Sequence, residues 1–308
     1  MKQLVIAERF CLTVHIISTL FGLAGLLVIL PNPELVLNLP PIGQTAFQLS
    51  MGGGGVAYIV FGAIAVSLYA YRTLGLATTL GFMVPSVILS LSSELLGTST
   101  GFPFGHYQYL TGLGYKIADL VPFTIPLSWF YMGLTCYLLA RGGLKVTMGS
   151  SWVRHLGALA MGAVLLTAWD LVLDPAMSQA PFPFWQFQEV GEFFGMPYRN
   201  LSGWMGTGLL FMGVAAFLWR QTPIILSRTL LTLPLMVYLT NFLFGAAITV
   251  VALDARFLLP TLLSVLFGVV PAIAFWWRSN PSLKEMADLL PESGASDAAD
   301  IPEKVTAQ

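Results

Sequence analysis

The 308-residue chain has little charge. Charged residues make up 9% of it and hydrophobic residues 56%, whereas a soluble domain carries about 25% charge. Water therefore cannot be the solvent for most of the surface, and the composition predicts an integral membrane protein. The formal net charge of −1 offers no general attraction to phosphate, which excludes a nucleic-acid partner.

Histidines and cysteines are also scarce. The 3 histidines, His15, His106 and His155, are far apart in the sequence, which excludes the clustered histidine ligands of a di-iron membrane oxygenase. The 2 cysteines, Cys11 and Cys136, lie inside apolar runs without the spacing of a disulfide or a metal site. We therefore expect neither a bound metal nor a cofactor.

Long apolar runs, in contrast, are abundant. Eight are long enough to cross ~30 Å of hydrocarbon: residues 10–30, 48–70, 74–96, 123–140, 153–173, 201–219, 229–252 and 258–277. We predict an all-α bundle of about eight transmembrane helices, with residues 1–278 forming a transmembrane catalytic domain. Residues 279–308 are polar and predict a disordered cytoplasmic tail. The glycine run 52–55 precedes no βαβ unit, and we expect it to permit close contact between helices.

The basic residues predict an orientation. Eleven of the 14 lysines and arginines fall on the side of the N-terminus if eight helices alternate in direction: Lys2, Arg9, Arg72, Arg141, Lys145, Arg154, Arg220, Arg228, Arg278, Lys284 and Lys304. Only Lys116, Arg199 and Arg256 fall on the other side. Because cytoplasmic loops carry an excess of basic residues, we expect both termini in the cytoplasm, in a bacterial plasma membrane or a thylakoid.

An acidic residue followed by a Gly/Pro/aromatic segment occurs twice. Glu94 precedes Phe102-Pro103-Phe104 by eight residues, and Asp174 precedes Phe182-Pro183-Phe184 by the same interval. Further aromatic residues and a tryptophan at the start of the next apolar run follow each segment. This agreement in spacing predicts an internal repeat.

Acids within membrane spans are costly and usually functional. Asp170 and Asp174 share a helical face with Ala163 and Thr167, and Pro175 is expected to end that helix. Two carboxyls one turn apart in a poorly solvated site cannot both ionise cheaply. We therefore expect them to share a proton and to provide a neutral acid that can protonate a weak base. Alternatively, these carboxylates cap helices or hold loops.

Aromatic side chains are expected around the acids, where their faces can stabilise a cation. They are Phe102, Phe104, Tyr107, Tyr109, Trp129, Phe182, Phe184, Trp185, Phe187 and Trp204. Tryptophan and tyrosine also collect at membrane interfaces without any role in chemistry, so both interpretations remain open.

Two motif groups resemble those of a known family. One is Gly101–Tyr109 (GFPFGHYQY); the other joins Asp170-x-x-x-Asp174 to the segment 195–204 (GMPYRNLSGW). Over roughly residues 50–275 the chain is similar to the integral-membrane carotenoid 1,2-hydratases of bacteria and archaea, which include γ-carotene 1′-hydroxylase and bisanhydrobacterioruberin hydratase. That family has Tyr-Tyr-Gly-x-Pro where this chain has Phe193-Phe194-Gly195-Met196-Pro197.

The resemblance implies addition of water to the C1′,C2′ double bond of a carotenoid ψ-end, without a redox cofactor. Protonation of C2′ leaves a tertiary cation at C1′, which water captures. We expect one of Asp170 and Asp174 to be the acid, while Glu94 orients and deprotonates the water. The other expected substrate-binding residues are His106, Phe104, Tyr107, Trp185, Asn200 and Trp204. The expected partners are a carotenoid, water, membrane lipid and other enzymes of carotenoid biosynthesis.

Two other functions fit the same acids. A transporter or proton-coupled channel would use them as a relay. A carotenoid or isoprenoid cyclase would also protonate an alkene, but it would form a ring without incorporating water. If neither aspartate is the acid, Glu189 and Glu192 are the next candidates.

Overall fold

The computed structural model describes residues 2–279 and is almost entirely helical. Its helices are α1 Lys2–Ala24, α2 Pro33–Leu37, α3 Pro41–Leu74, α4 Leu76–Thr100, α5 Thr124–Gly143, α6 Trp152–Ser178, α7 Tyr198–Leu218, α8 Thr232–Ala252, α9 Leu258–Ser264 and α10 Val270–Arg278. A π-helical turn, Gly25–Ile29, extends α1; the 3-10 turn Ala255–Phe257 precedes α9, and a second π-turn, Val265–Val269, joins α9 to α10. The predicted tail lies outside the described residues, apart from Ser279.

Seven helices of the described part are long and apolar enough to cross a membrane: Lys2–Ile29, Pro41–Leu74, Leu76–Thr100, Trp152–Ser178, Tyr198–Leu218, Thr232–Ala252 and Ala255–Arg278. This confirms a polytopic helical membrane protein. The eighth run, 123–140, does form a helix, α5, but α5 is not among the seven. Every residue of α5 except Leu127 and Ser128 is buried, so this helix needs no apolar surface toward lipid.

Glycines and prolines set the helix ends, with one departure from expectation. Gly75, with φ of +82°, separates α3 from α4, and Gly101, with φ of +80°, ends α4 by donating its N–H to the Gly97 carbonyl. The prediction that Pro175 ends α6 is wrong, because α6 continues to Ser178. Ala176 and Met177 pack with Ile248 in a small apolar cluster, and this packing offsets the backbone hydrogen bond that proline cannot donate.

Hydroxyl groups from neighbouring helices fix the position of α6. Tyr238 of α8 donates to the Leu165 carbonyl at 3.0 Å, and Thr249 of α8 donates to the Val172 carbonyl at 2.9 Å. Ser264 of α9 donates to the Ala168 carbonyl at 2.5 Å. Because lipid offers no hydrogen-bond partners, such hydroxyls must be satisfied within the bundle. The aspartates of α6 are therefore carried by a helix that is held from two sides.

A buried polar cluster joins α1, α3, α5 and α8. Tyr58 and Tyr131 both donate to the Asn241 side-chain oxygen, the second at 2.7 Å. The Asn241 amide lies 3.3 Å from His15 Nε2, and His15 Nδ1 lies 2.9 Å from the Tyr58 carbonyl. Since each polar group has a partner, we interpret this cluster as a structural connection between the four helices.

The glycine run in α3 does not make the helix contact that the sequence predicts. A Cβ placed on Gly52, Gly53 or Gly54 would meet nothing within 4 Å. Gly55 is the exception: its Cβ would lie 2.7 Å from the carbonyl oxygen of Gly112, which belongs to a loop. The first three glycines therefore face open space, and only the fourth allows a close approach.

Two loops at one end of the bundle meet in a small sheet. Strand β1, Tyr107–Tyr109, pairs antiparallel with β4, Trp185–Phe187, and Gln108 lies opposite Gln186. A second pair joins β2, Lys116–Ile117, to β3, Val121–Pro122. Strands β1 and β4 each follow one of the two Phe-Pro-Phe segments, and their antiparallel pairing places the two segments at opposite ends of the sheet.

Candidate active site

A cavity of about 720 Å³ lies among α1, α3, α4, α5, α6 and α7 and is bordered by β1 and β4. This volume suits a drug-sized ligand or the end of a longer one. Its wall includes Glu94 from α4, Asp170 and Asp174 from α6, and Asn200 from α7. The structure thus brings together the three acids and the amide that the sequence singled out.

Glu94 is 4% exposed and accepts three hydrogen bonds. Trp129 Nε1 donates to Glu94 Oε1 at 2.8 Å, and the hydroxyls of Tyr107 and Tyr109 both donate to Oε2, the second at 2.8 Å. Neutral donors on both oxygens stabilise a carboxylate without neutralising it. The arrangement can therefore hold a buried negative charge and can receive a proton.

The aspartate pair has fewer donors. The Asn200 side-chain amide donates to Asp170 Oδ2 and to Asp174 Oδ2, both at 2.8 Å, and Trp185 Nε1 donates to Asp174 Oδ1 at 2.7 Å. Asp170 is fully buried, and within residues 2–279 its Oδ1 has no hydrogen-bond partner. An unpartnered buried carboxyl oxygen is costly, unless it carries a proton directed at a ligand.

Aromatic rings form a continuous wall beside these acids. Trp129 stacks on Trp204 with ring centroids 4.2 Å apart, and Trp204 meets Trp169 edge to face at 5.8 Å. On the other side, Tyr109 lies 6.0 Å from Trp185. The wall therefore connects the Glu94 site to the aspartate pair through rings, whose faces favour a nearby positive charge.

Two glycines create the slot that holds Phe104. A Cβ on Gly97 would lie 2.8 Å from the Phe104 ring, and a Cβ on Gly203 would lie 2.6 Å from it. Phe104 is 2% exposed and packs 6.0 Å from Trp129. Any side chain at either glycine would displace this ring from the cavity wall.

Burial and the negative charge of Glu94 raise the pKa of the Tyr107 and Tyr109 hydroxyls well above the usual tyrosine value. Burial is the larger cause for both residues. The two phenols therefore remain protonated donors to Glu94 throughout the physiological pH range.

Not every expected residue reaches the cavity. His106 and Phe102 are exposed and do not line it; the His106 ring lies over Gly101, on the outer side of the loop. Glu189 pairs with Arg199 and accepts the backbone N–H of His106 at 3.0 Å, so it holds the two loops together. Glu192 is exposed and away from the cavity. His106 is therefore left out of the candidate site, and Glu189 is a loop contact.

Several residues of the site were not assigned specific positions by the sequence. Tyr109 and Trp129 were expected only as aromatic neighbours, yet both donate to Glu94. Trp169, which directly precedes Asp170 in the chain, also lines the cavity. Residues of α1 and α3, among them Phe21 and Tyr58, form the far wall. The sequence around these residues does not mark them as part of a site, because a cavity wall and a lipid-facing surface have the same apolar composition.

The segment that departs from the resemblance forms a tight turn. Phe193 and Met196 exchange backbone hydrogen bonds at 3.0 Å, with positive φ at Phe194 and Gly195. Neither Phe193 nor Phe194 lines the cavity. In the described part of the chain, no group of three or more His, Cys, Asp or Glu side chains is arranged to hold a metal ion.

Comparison with known proteins gives two matches. Residues 54–271 match a family model described as carotenoid biosynthesis protein. The bisanhydrobacterioruberin hydratase of Haloarcula japonica is 32% identical over 194 residues, which are 62% of this chain and 60% of that protein. The match therefore covers less than two thirds of the relative's length. No solved structure matches.

Proposed function

Because this chain belongs to the carotenoid biosynthesis protein family, we propose that it is a carotenoid hydratase, which adds water to the C1′,C2′ double bond of a carotenoid ψ-end such as that of γ-carotene. The observation that carries this proposal is the pairing of two differently equipped carboxyl sites in one aromatic cavity. Glu94 accepts three hydrogen bonds, whereas the two aspartates together have only the Asn200 amide and the Trp185 indole as donors. Acid-catalysed hydration needs one group that gives a proton and another that takes one.

The proton donor is Asp170. Asp174 accepts from both Trp185 and Asn200, whereas Asp170 receives only the shared amide. The single negative charge of the pair is therefore better stabilised on Asp174, and the proton resides on the unpartnered Oδ1 of Asp170. Transfer of this proton to C2′ breaks the alkene π bond, forms a C–H bond and leaves a tertiary cation at C1′.

Glu94 receives the second proton. A water molecule beside its carboxylate attacks C1′, forms the C–O bond and loses a proton to Glu94. Return of that proton to Asp170 by way of water closes the cycle, so the net reaction is alkene plus water to tertiary alcohol. The three donors on Glu94 keep the carboxylate oriented before the proton arrives.

The rings beside the acids protect the intermediate. Trp129, Trp204 and Tyr109 offer no strong nucleophile, and a ring face turned toward C1′ stabilises the cation without capturing it. Phe104, Tyr107 and Trp185 complete this wall. Water held beside Glu94 captures the cation, so hydration prevails over loss of a proton from a methyl group.

Expression in cells that accumulate lycopene or γ-carotene tests the proposal. We expect a pigment heavier by one water molecule, with the oxygen label arriving from labelled water and not from molecular oxygen. A product of unchanged mass with a new ring would indicate a cyclase. Unchanged pigment together with proton flux in liposomes would indicate a transporter or channel.

We also propose that the buried helix α5 crosses the membrane in addition to the seven spans, and that both termini lie in the cytoplasm of a bacterial plasma membrane or thylakoid system. The support is the distribution of basic residues, together with the grouping of the three acids at one end of the bundle. Reporter fusions after Gly112 and after Gln186 should report the non-cytoplasmic side. A cytoplasmic signal from either fusion would contradict this orientation and the placement of all three acids at one face of the membrane.

A further inference from the structure

Exposed residues line the cavity in two places, at the loop residues Pro181 and Phe182 and sideways between α1 and α3. Ile17 and Phe21 of α1 and Leu49 of α3 line it, and they are 57%, 55% and 72% exposed. All three are apolar and lie in helices long and apolar enough to span a membrane, so this opening suits contact with lipid. Nearer the other ends of α1 and α3 there is no gap, because His15 stacks on Tyr58 at 4.7 Å and Phe10 meets Phe61 at 6.5 Å.

Glycines line both sides of the opening. Gly25 lies on the α1 side and Gly53 and Gly54 on the α3 side, and a Cβ on any of them would meet nothing within 4 Å. A helix–helix contact would have placed atoms there. The space is therefore left open, although glycine within a helix costs about 1 kcal/mol relative to alanine.

A polar group inside the cavity indicates what the opening admits. Asp170, at the inner wall, is fully buried and has an unpartnered Oδ1. A ligand that reaches this oxygen through the opening must cross an apolar entrance. An ionic ligand would lose its hydration there without any compensating contact. The suitable ligand is an extended apolar chain with a reactive end.

Resting on the proposed function, we propose that the α1–α3 opening admits the polyene chain of the substrate from the bilayer, with Gly53 and Gly54 as the wall along which it lies. The end group then reaches Asp170 while the rest of the chain remains in lipid. A long substrate needs no tunnel of its own length, since only its terminal isoprene unit must enter the 720 Å³ cavity.

A matched pair of substitutions tests this route. Gly54→Leu places a side chain in the opening, whereas Gly52→Leu adds the same side chain two residues away, at an exposed position that does not line the cavity. Both sites have open space for a Cβ and both variants gain helix propensity, so both should fold. Each variant and the wild type are purified from cells that accumulate lycopene, and the pigment retained per protein and its hydroxylated fraction are measured.

We expect Gly54→Leu to retain about tenfold less pigment than the wild type and Gly52→Leu to retain the same amount. Equal retention by both variants would overturn the route, as would a wild type that retains no pigment. If the wild type retains pigment but hydroxylates none of it, the proposed function fails, while the retention ratio of the two variants still decides the route.

Discussion

The two carboxyl sites of the cavity differ in how they are supported. Glu94 receives three hydrogen bonds from side chains of α5 and β1. The Asn200 amide donates to both Asp170 and Asp174, and the Trp185 indole donates to Asp174. Both sites follow the same order along the chain, in which an acid near a helix end precedes a Phe-Pro-Phe segment and a strand whose side chains return to that acid.

This difference is the basis for proposing that one cavity holds both an acid and a base. A carboxylate with a donor for each oxygen is stable as an anion, and a pair with too few donors is most stable when it retains a proton. In the proposed reaction, this difference in hydrogen-bond donors separates the two roles. The number and direction of neutral donors are sufficient.

The largest effect is expected from Asp170→Asn. The new amide can place its oxygen at the Oδ2 position, where it still accepts from Asn200, and its NH₂ at the unpartnered position. Shape and hydrogen bonding are therefore retained while acidity is lost. We expect hydration to fall by about 10²–10⁴-fold, measured as the hydroxylated fraction of the pigment in membranes with equal amounts of protein.

The control for Asp170→Asn is the same change at a solvated aspartate. Asp254 is exposed and paired with Arg256, so Asp254→Asn should match the wild type. Normal activity in Asp170→Asn would contradict its role as the acid and would shift attention to Asp174. Asp174→Asn would also lose a hydrogen bond, because both carboxyl oxygens of Asp174 already accept one.

The second largest loss of activity is expected from Glu94→Gln. Its amide oxygen can accept from Trp129, and its NH₂ can donate to the tyrosine hydroxyls, which are able to accept, so the site should remain assembled. The proton acceptor is lost, however, and we expect activity to fall by about 10²-fold or more. Exposed Glu34 provides the control: Glu34→Gln should hydrate normally. A fully active Glu94→Gln would show that another group takes the proton from water.

Tyr109→Phe should have a smaller effect. It removes one of the three donors to Glu94 and keeps the ring. A hydrogen bond to a charged group contributes about 1.5–3 kcal/mol, and two donors remain, so we expect about a tenfold loss of kcat. Tyr115→Phe, at an exposed tyrosine, is the matched control. Equal activity of the two variants would show that donor number at Glu94 does not matter.

The helices were predictable because each apolar run of about twenty residues has a single solution in lipid. All eight runs form helices, and Asp170 and Asp174 share a face as their spacing requires. The path of α6 through Pro175 was not predictable, because it depends on packing against Ile248, a residue distant in sequence. The role of the glycine run was also missed, since open space and close contact both require a missing side chain.

The site was only partly predictable. Its acids stand out in an apolar sequence, and Asn200 belongs to the motif of the resemblance. Which loop residue reaches which acid depends on the pairing of β1 with β4, two strands almost eighty residues apart. His106 shows the limit most clearly: it alternates with Tyr107 along the chain, so when the tyrosine points inward the histidine points out.

The smallest effect is expected from Trp185→Phe. This substitution tests whether the shared proton resides on Asp170 and not on Asp174. The change removes the indole donor from Asp174 Oδ1 and keeps an aromatic ring in the wall. Asp174 then stabilises the shared negative charge less well, and the proton is divided more evenly between the two aspartates. A hydrogen bond to a charged group contributes about 1.5–3 kcal/mol, but only part of this is lost, because Asp174 keeps the Asn200 donor and the charge can be shared with Asp170. Hydration should therefore fall by only about fivefold, while Trp152→Phe, at the exposed start of α6, should change nothing. A loss as large as that of Asp170→Asn would mean that the indole itself contacts the reacting end group. An unchanged rate would mean that Asn200 alone sets the position of the proton.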